Sequence, residues 1–79
     1  MPTQQELEEE DRRVRQLRLA VDLALSAIGQ TSMSLAQAEE LISAARGMAL
    51  SLFPGKELAF DLIYLPRFRR LLTERYRLH

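Results

Sequence analysis

Apolar residues recur along the first third of the chain at helical rather than strand spacing. Leu7, Val14, Val21 and Ile28 fall at steps of seven, and Leu17 and Ala24 lie three residues after the second and third of these. Positions so spaced share one side of a helix, with Asp11, Arg15, Arg18, Asp22 and Ser26 on the other. Thr3 with Glu6 has capping-box spacing, in which a hydroxyl and a carboxylate satisfy helix N–H groups that otherwise lack partners. A first helix is therefore predicted over residues 4–28. Beyond Arg18 the apolar sector widens to take in Leu19, Leu23 and Leu25, which predicts an almost enclosed second half. The first half is charged. Its Glu8/Arg12, Glu9/Arg13 and Asp11/Arg15 pairs have the acid-first i,i+4 order that supports a solvated helix by roughly 0.2–0.5 kcal/mol each.

Gly29 and the polar run GQTSMS predict the end of this helix, with the glycine as a left-handed C-terminal residue. Ser34 and Gln37 form a second capping box, and Met33 is placed to staple onto Ala38. Ala38, Leu41, Ile42, Ala45, Met48, Ala49 and Leu52 then follow the i, i+3, i+4, i+7 rule without a miss, predicting a helix over 35–52. In FPGK, Pro54 presets φ and Gly55 is free to take positive φ, so a turn follows. A third helix is predicted over 56–64 with Leu58, Ala59, Leu62 and Ile63 inward. Pro66 disfavours helical geometry at Leu65 and suits a first helical turn, so a break there and a last helix over 66–78 are expected. Its inward residues would be Phe68, Leu71, Leu72 and Tyr76 or the stem of Arg75.

These elements predict an all-α fold: a single helical domain over residues 1–79, built as a small three- to four-helix bundle. A long N-terminal helix and its antiparallel partner form a hairpin, and two short C-terminal helices pack across it. Roughly 26 residues give the first helix about 39 Å, against about 28 Å for the second, so the antiparallel partner leaves the N-terminal arm uncovered. Leu7 and Val14 would then meet water in a lone chain and be covered in a pair of chains. Leu7, Val14, Leu17 and Val21 are accordingly the candidate interface of a homodimer.

Composition sharpens this expectation. A chain of 79 residues has a limited core and usually needs a staple. With no cysteine and a single histidine, His79, disulfides and thiolate or multi-histidine metal sites are excluded, which leaves association as the staple. The apolar fraction of 47% and charged fraction of 28% are those of a globular chain, and the net charge of zero argues against a surface built throughout to attract phosphate. The acidic start MPTQQELEEED lacks the apolar h-region of a signal peptide, and no apolar run approaches the roughly 18 residues that span a bilayer. A cytoplasmic protein without a membrane partner is expected.

Chemistry is sparse. A serine nucleophile needs a base within reach, and the one imidazole sits at the last residue. Gly29, Gly47 and Gly55 are too scattered to cradle a phosphate. Glu57 and Asp61 are i,i+4 and could share a cation, but the Glu-x-x-His motifs of helical carboxylate metal sites are missing, and dipole stabilisation near helix N-termini accounts for Glu39, Glu40 and Glu57. No catalytic residue, cofactor or metal is assigned, and an enzyme is not expected.

The last nineteen residues hold Arg67, Arg69, Arg70, Arg75 and Arg77 among Tyr64, Phe68 and Tyr76. Arginines interleaved with aromatics can grip single-stranded nucleic acid through phosphate contact and base stacking. Helical spacing instead turns the aromatics inward and rings the helix with arginine. These five arginines are therefore candidates for binding either nucleic acid or an acidic partner. The run ELEEED carries five negative charges, close to the surplus of the tail, so the acidic arm of one subunit lying along the C-terminal helix of another would offset both. The sequence thus predicts a non-enzymatic, self-associating helical interaction module with another protein as a further candidate partner; nucleic-acid binding through the arginine-rich helix is the alternative.

Overall fold

In a computed structural model, residues 1–77 are described and form four helices, with no strand among them. The first, α1, spans Gln4–Gln30; α2 spans Leu35–Leu52, α3 Glu57–Ile63 and α4 Leu65–Tyr76. The described residues are all-α, as the periodicity predicts. Helices α1 and α2 pack as a hairpin, α4 lies on both, and α3 joins α2 to α4.

Local chemistry sets the boundaries. The Thr3 hydroxyl accepts from the Glu6 N–H at 3.1 Å. At α2 both halves of the capping box close: Ser34 Oγ accepts from the Gln37 N–H at 3.1 Å, and Gln37 Oε1 accepts from the Ser34 N–H at 2.9 Å. Gly55 takes φ +81°, the left-handed geometry that its turn requires. Gly29, by contrast, stays helical. The end of α1 falls at Thr31, which is extended but still donates both its N–H and its hydroxyl to the Ala27 carbonyl. A threonine that satisfies the last turn in this way makes the left-handed glycine unnecessary.

The break before Pro66 lies one residue earlier than expected, at Tyr64, which closes α3 and caps α4 at once. Its N–H donates to the Phe60 carbonyl at 2.8 Å, and its own carbonyl accepts from Arg67 at 3.0 Å. Helix α4 ends at Tyr76 because Arg77 is left-handed, with φ 53°. The last two positions of the expected 66–78 helix include Leu78, which lies outside the described residues, as does His79.

The core is a single cluster. Leu17, Val21, Ala24 and Ile28 of α1 face Ala38, Ile42, Ala45 and Ala49 of α2, and Phe60, Phe68 and Leu72 close it. The α2 share of this cluster is three alanines and one isoleucine, so the large side chains come from the other helices. Phe68 is fully enclosed, as are Val21 and Ile28.

Two sequence expectations fail here. Leu19 and Leu23 are 60% and 61% exposed, so the second half of α1 is not enclosed. They sit on the side of α1 opposite its core stripe, where no other helix of the chain passes. On α3 the expected residues are not the buried ones: Leu58, Leu62 and Ile63 are largely exposed, Ala59 is exposed, and Phe60 is the buried residue.

The molecule measures 47 × 22 × 16 Å with a radius of gyration of 14.3 Å, against about 12 Å for a compact chain of this length. The excess is the N-terminal arm. Phe53, which ends α2, sits beside Arg13, whose guanidinium lies 5.9 Å from the ring centroid. Residues before Arg13 therefore have no helix of their own chain beside them.

Candidate functional site

The arm is the first candidate surface. Every residue from Met1 to Arg12 is exposed, and Leu7, 45% exposed, is the only apolar side chain between Gln4 and Arg13. Val14 is half-buried and continues the stripe toward the core. The other two residues of the expected interface, Leu17 and Val21, lie inside this chain's own core. The structure thus separates the four: two are packed within the chain, and Leu7 and Val14 remain for contact.

Charge along the arm is segregated. Glu6, Glu8, Glu9, Glu10 and Asp11 are followed at once by Arg12, Arg13, Arg15 and Arg18. The expected i,i+4 pairs between these groups do not close within the chain. Instead Gln4 and Gln5 donate side-chain hydrogen bonds to Glu8 and Glu9 at 3.2 and 3.4 Å. Holding two long exposed side chains together costs rotamer entropy that Coulomb attraction in water barely offsets.

Beside the root of the arm is an apolar cleft of about 220 Å³ between α1, the end of α2 and α3. Leu17, Leu50, Phe53, Ala59, Ile63 and Tyr64 line it, and Lys56 stands among them as the polar member. Helical periodicity carries no sign of this cleft, which forms where the end of α2 and α3 meet α1.

The five arginines of the tail do not gather into one patch. Arg75 Nη2 donates to the Thr31 carbonyl at 2.6 Å and so serves the α1–α2 connection. Arg69 lies near enough to Asp61 to favour its charged form. Arg67 and Arg70 line a shallow groove with Ser26, Gln30 and Glu74, and Arg77 occupies the left-handed cap. The aromatics do not stand free on the surface: Phe68 is enclosed, Tyr64 is half-buried against Phe60, and half-buried Tyr76 donates its hydroxyl to the Met33 carbonyl at 2.9 Å.

One ion pair is present among the described residues, and sequence spacing could not foresee it. Arg46 of α2 grips Asp61 of α3 through Nε–Oδ1 at 2.8 Å and Nη2–Oδ2 at 3.0 Å. The hydrogen bonds from Arg46 hold the Asp61 carboxyl below the ordinary carboxylate range, and the same bonds raise the Arg46 guanidinium further. Asp61 is thus committed to fixing α3 rather than paired with Glu57 for a cation. Among the described residues no group of three or more potential metal ligands converges, and no helix is long and apolar enough to cross a membrane.

Fold and surfaces together define an all-α helical hairpin, closed by two short helices, with an uncovered charged arm. Comparison with known proteins finds no family model, no curated protein and no solved structure that matches this chain.

Proposed function

We propose that this chain is a non-enzymatic helical interaction module that associates with a second copy of itself through the N-terminal half of α1. The observation that carries this reading is the arm: a helix continued past Phe53 with no partner, bearing one exposed leucine and an acidic run set directly before a basic one. In an antiparallel pair of such helices, the acidic run of each copy faces the basic run of the other. A two-fold pair makes that match twice with one surface. Complementary potentials of this kind fix register and exclude wrong partners more than they add affinity. The apolar contribution comes from Leu7 and Val14.

Light scattering after size exclusion tests this reading, with an expected mass near twice the chain's 9.1 kDa at low salt and weaker association as salt rises. Replacing Glu8, Glu9 and Glu10 together by lysine should shift the chain toward monomer. A wild-type monomer at all salt concentrations would sink the reading.

A second reading, nucleic-acid binding by α4, is favoured by one observation: Arg67 and Arg70 are exposed along the same groove. The enclosed Phe68 and half-buried Tyr64 and Tyr76 weigh against it, since sequence-tolerant grip on single strands draws on base stacking. Binding to oligonucleotides that weakens steeply with salt, and is lost in the Arg67→Ala, Arg70→Ala variant, would select it over self-association.

A further inference from the structure

We propose that the cleft at the foot of the α1–α2 hairpin receives the N-terminal arm of a second copy, with Leu7 of that copy seated between Phe53 and Ile63. This rests on self-association through α1 and adds where the arm docks and in which register.

The cleft has the right size for such an anchor. At about 220 Å³ it falls below the roughly 300–1,000 Å³ of small-molecule pockets, yet it is apolar and open enough for an aliphatic side chain. Leu17, Phe53, Ile63 and Tyr64 supply its walls. The arm offers one apolar residue in its first ten helical positions, Leu7, so anchor and cleft match in number as well as in character.

Charge selects the arm as the occupant. Lys56 lines the cleft, Arg13 stands over Phe53 at its edge, and Arg12, Arg15 and Arg18 follow on α1. Five carboxylates flank Leu7 between Glu6 and Asp11. An acidic helix with a single hydrophobic anchor is thus met by an apolar cleft with a basic margin.

A chain cannot fill its own cleft in this way. Leu7 and Leu17 belong to one continuous helix, and ten residues at about 1.5 Å each hold Leu7 about 15 Å away along the axis. In a second chain running antiparallel, the arm passes the cleft directly, and the two-fold relation fills both clefts. This register also places the acidic arm against α1 and α3 of the partner copy rather than along α4. Of the tail arginines, Arg75 is already engaged with Thr31, and Arg69 lies near enough to Asp61 to favour its charged form.

The absence of native cysteine allows a direct test by disulfide trapping. Glu10→Cys, one turn beyond Leu7, is mixed with a differently tagged chain carrying either Ala59→Cys in the cleft or Arg70→Cys on α4. Bridging requires Cα atoms within about 7 Å, so the mixed disulfide reports position. The expected result is rapid trapping of the Ala59→Cys chain and little of the Arg70→Cys chain. The reverse preference, or trapping with neither, overturns the docking site while a wild-type mass near two chains leaves self-association standing. A monomeric wild type overturns both. As a second variant, Leu7→Asp changes an exposed side chain and should reduce association several-fold with unchanged helicity; dimerisation equal to wild type would count against the anchor.

Discussion

The Tyr76 hydroxyl donates to the Met33 carbonyl at 2.9 Å, joining the end of the last helix to the connection between the first two. Residues 43 positions apart in sequence are thereby held together, and Arg75 repeats the link one residue earlier through Thr31. Within the connection the Ser34 carbonyl accepts from the Ala38 N–H of α2, while the Thr31 and Met33 carbonyls are met by these two side chains. Tyr76→Phe removes one such bond while keeping the ring, and should cost about 0.5–1.5 kcal/mol. A chemical denaturation midpoint shifted down without a change in slope is the expected signature.

Phe68 and Leu23 provide a contrast within one molecule. Phe68 is enclosed at the centre of the cluster, and its replacement by alanine should cost about 3–5 kcal/mol, enough to unfold much of a chain this small. Leu23 faces away from the core, and Leu23→Ser should change stability by no more than about 0.5 kcal/mol. Thermal melts of the two variants followed by circular dichroism check both values.

The three glycines should respond differently to alanine. A Cβ at Gly47 meets nothing within 4 Å, and one at Gly29 meets only Leu71 at 3.9 Å, an ordinary contact. Both are helical, so Gly47→Ala and Gly29→Ala should each stabilise by about 0.5–1 kcal/mol. Gly55 has φ +81°, where a side chain is strained, and Gly55→Ala should destabilise by about 1–2 kcal/mol. Melting temperatures rising for two variants and falling for the third would bear out this division.

Acid should act first on the contact between α2 and α3. The carboxyl of Asp61 titrates below its unfolded value, so its contribution is present above about pH 4 and is lost as pH falls through the folded-state value. Arg46 stays protonated across that range and adds no slope. Asp61→Asn should flatten the acid limb of the stability profile while leaving the fold helical, which urea titrations between pH 2 and 6 would show.

How much of this was legible in the sequence follows from which forces act locally. Capping at Thr3 and Ser34, the seven-residue stripe of α1, the run of α2 and the turn at Gly55 depend on near neighbours, and the chain shows each at its expected place except Met48 of the α2 run, which is exposed. Position along the axis was also readable, since helix lengths alone leave the arm uncovered. The face of α3 was not. Its aliphatics outnumber its single phenylalanine, yet the phenylalanine is the residue that joins the core cluster. The cleft likewise escaped notice, and Arg46–Asp61, fifteen residues apart on different helices, carries no spacing signal.

One continuous helix here contains two different stabilities. From Leu17 onward its hydrogen bonds are held by the packed hairpin, whereas the turns before Arg13 rest on propensity, the Thr3 cap and two glutamine–carboxylate bonds. Isolated helices shorter than about 12–15 residues are marginal in water. Amide protons along α1 should accordingly exchange with solvent in a gradient, fastest at the arm and slowest near Ile28. Any occupant of the arm would declare itself by slowing exchange at its first turns while leaving the far end as it was.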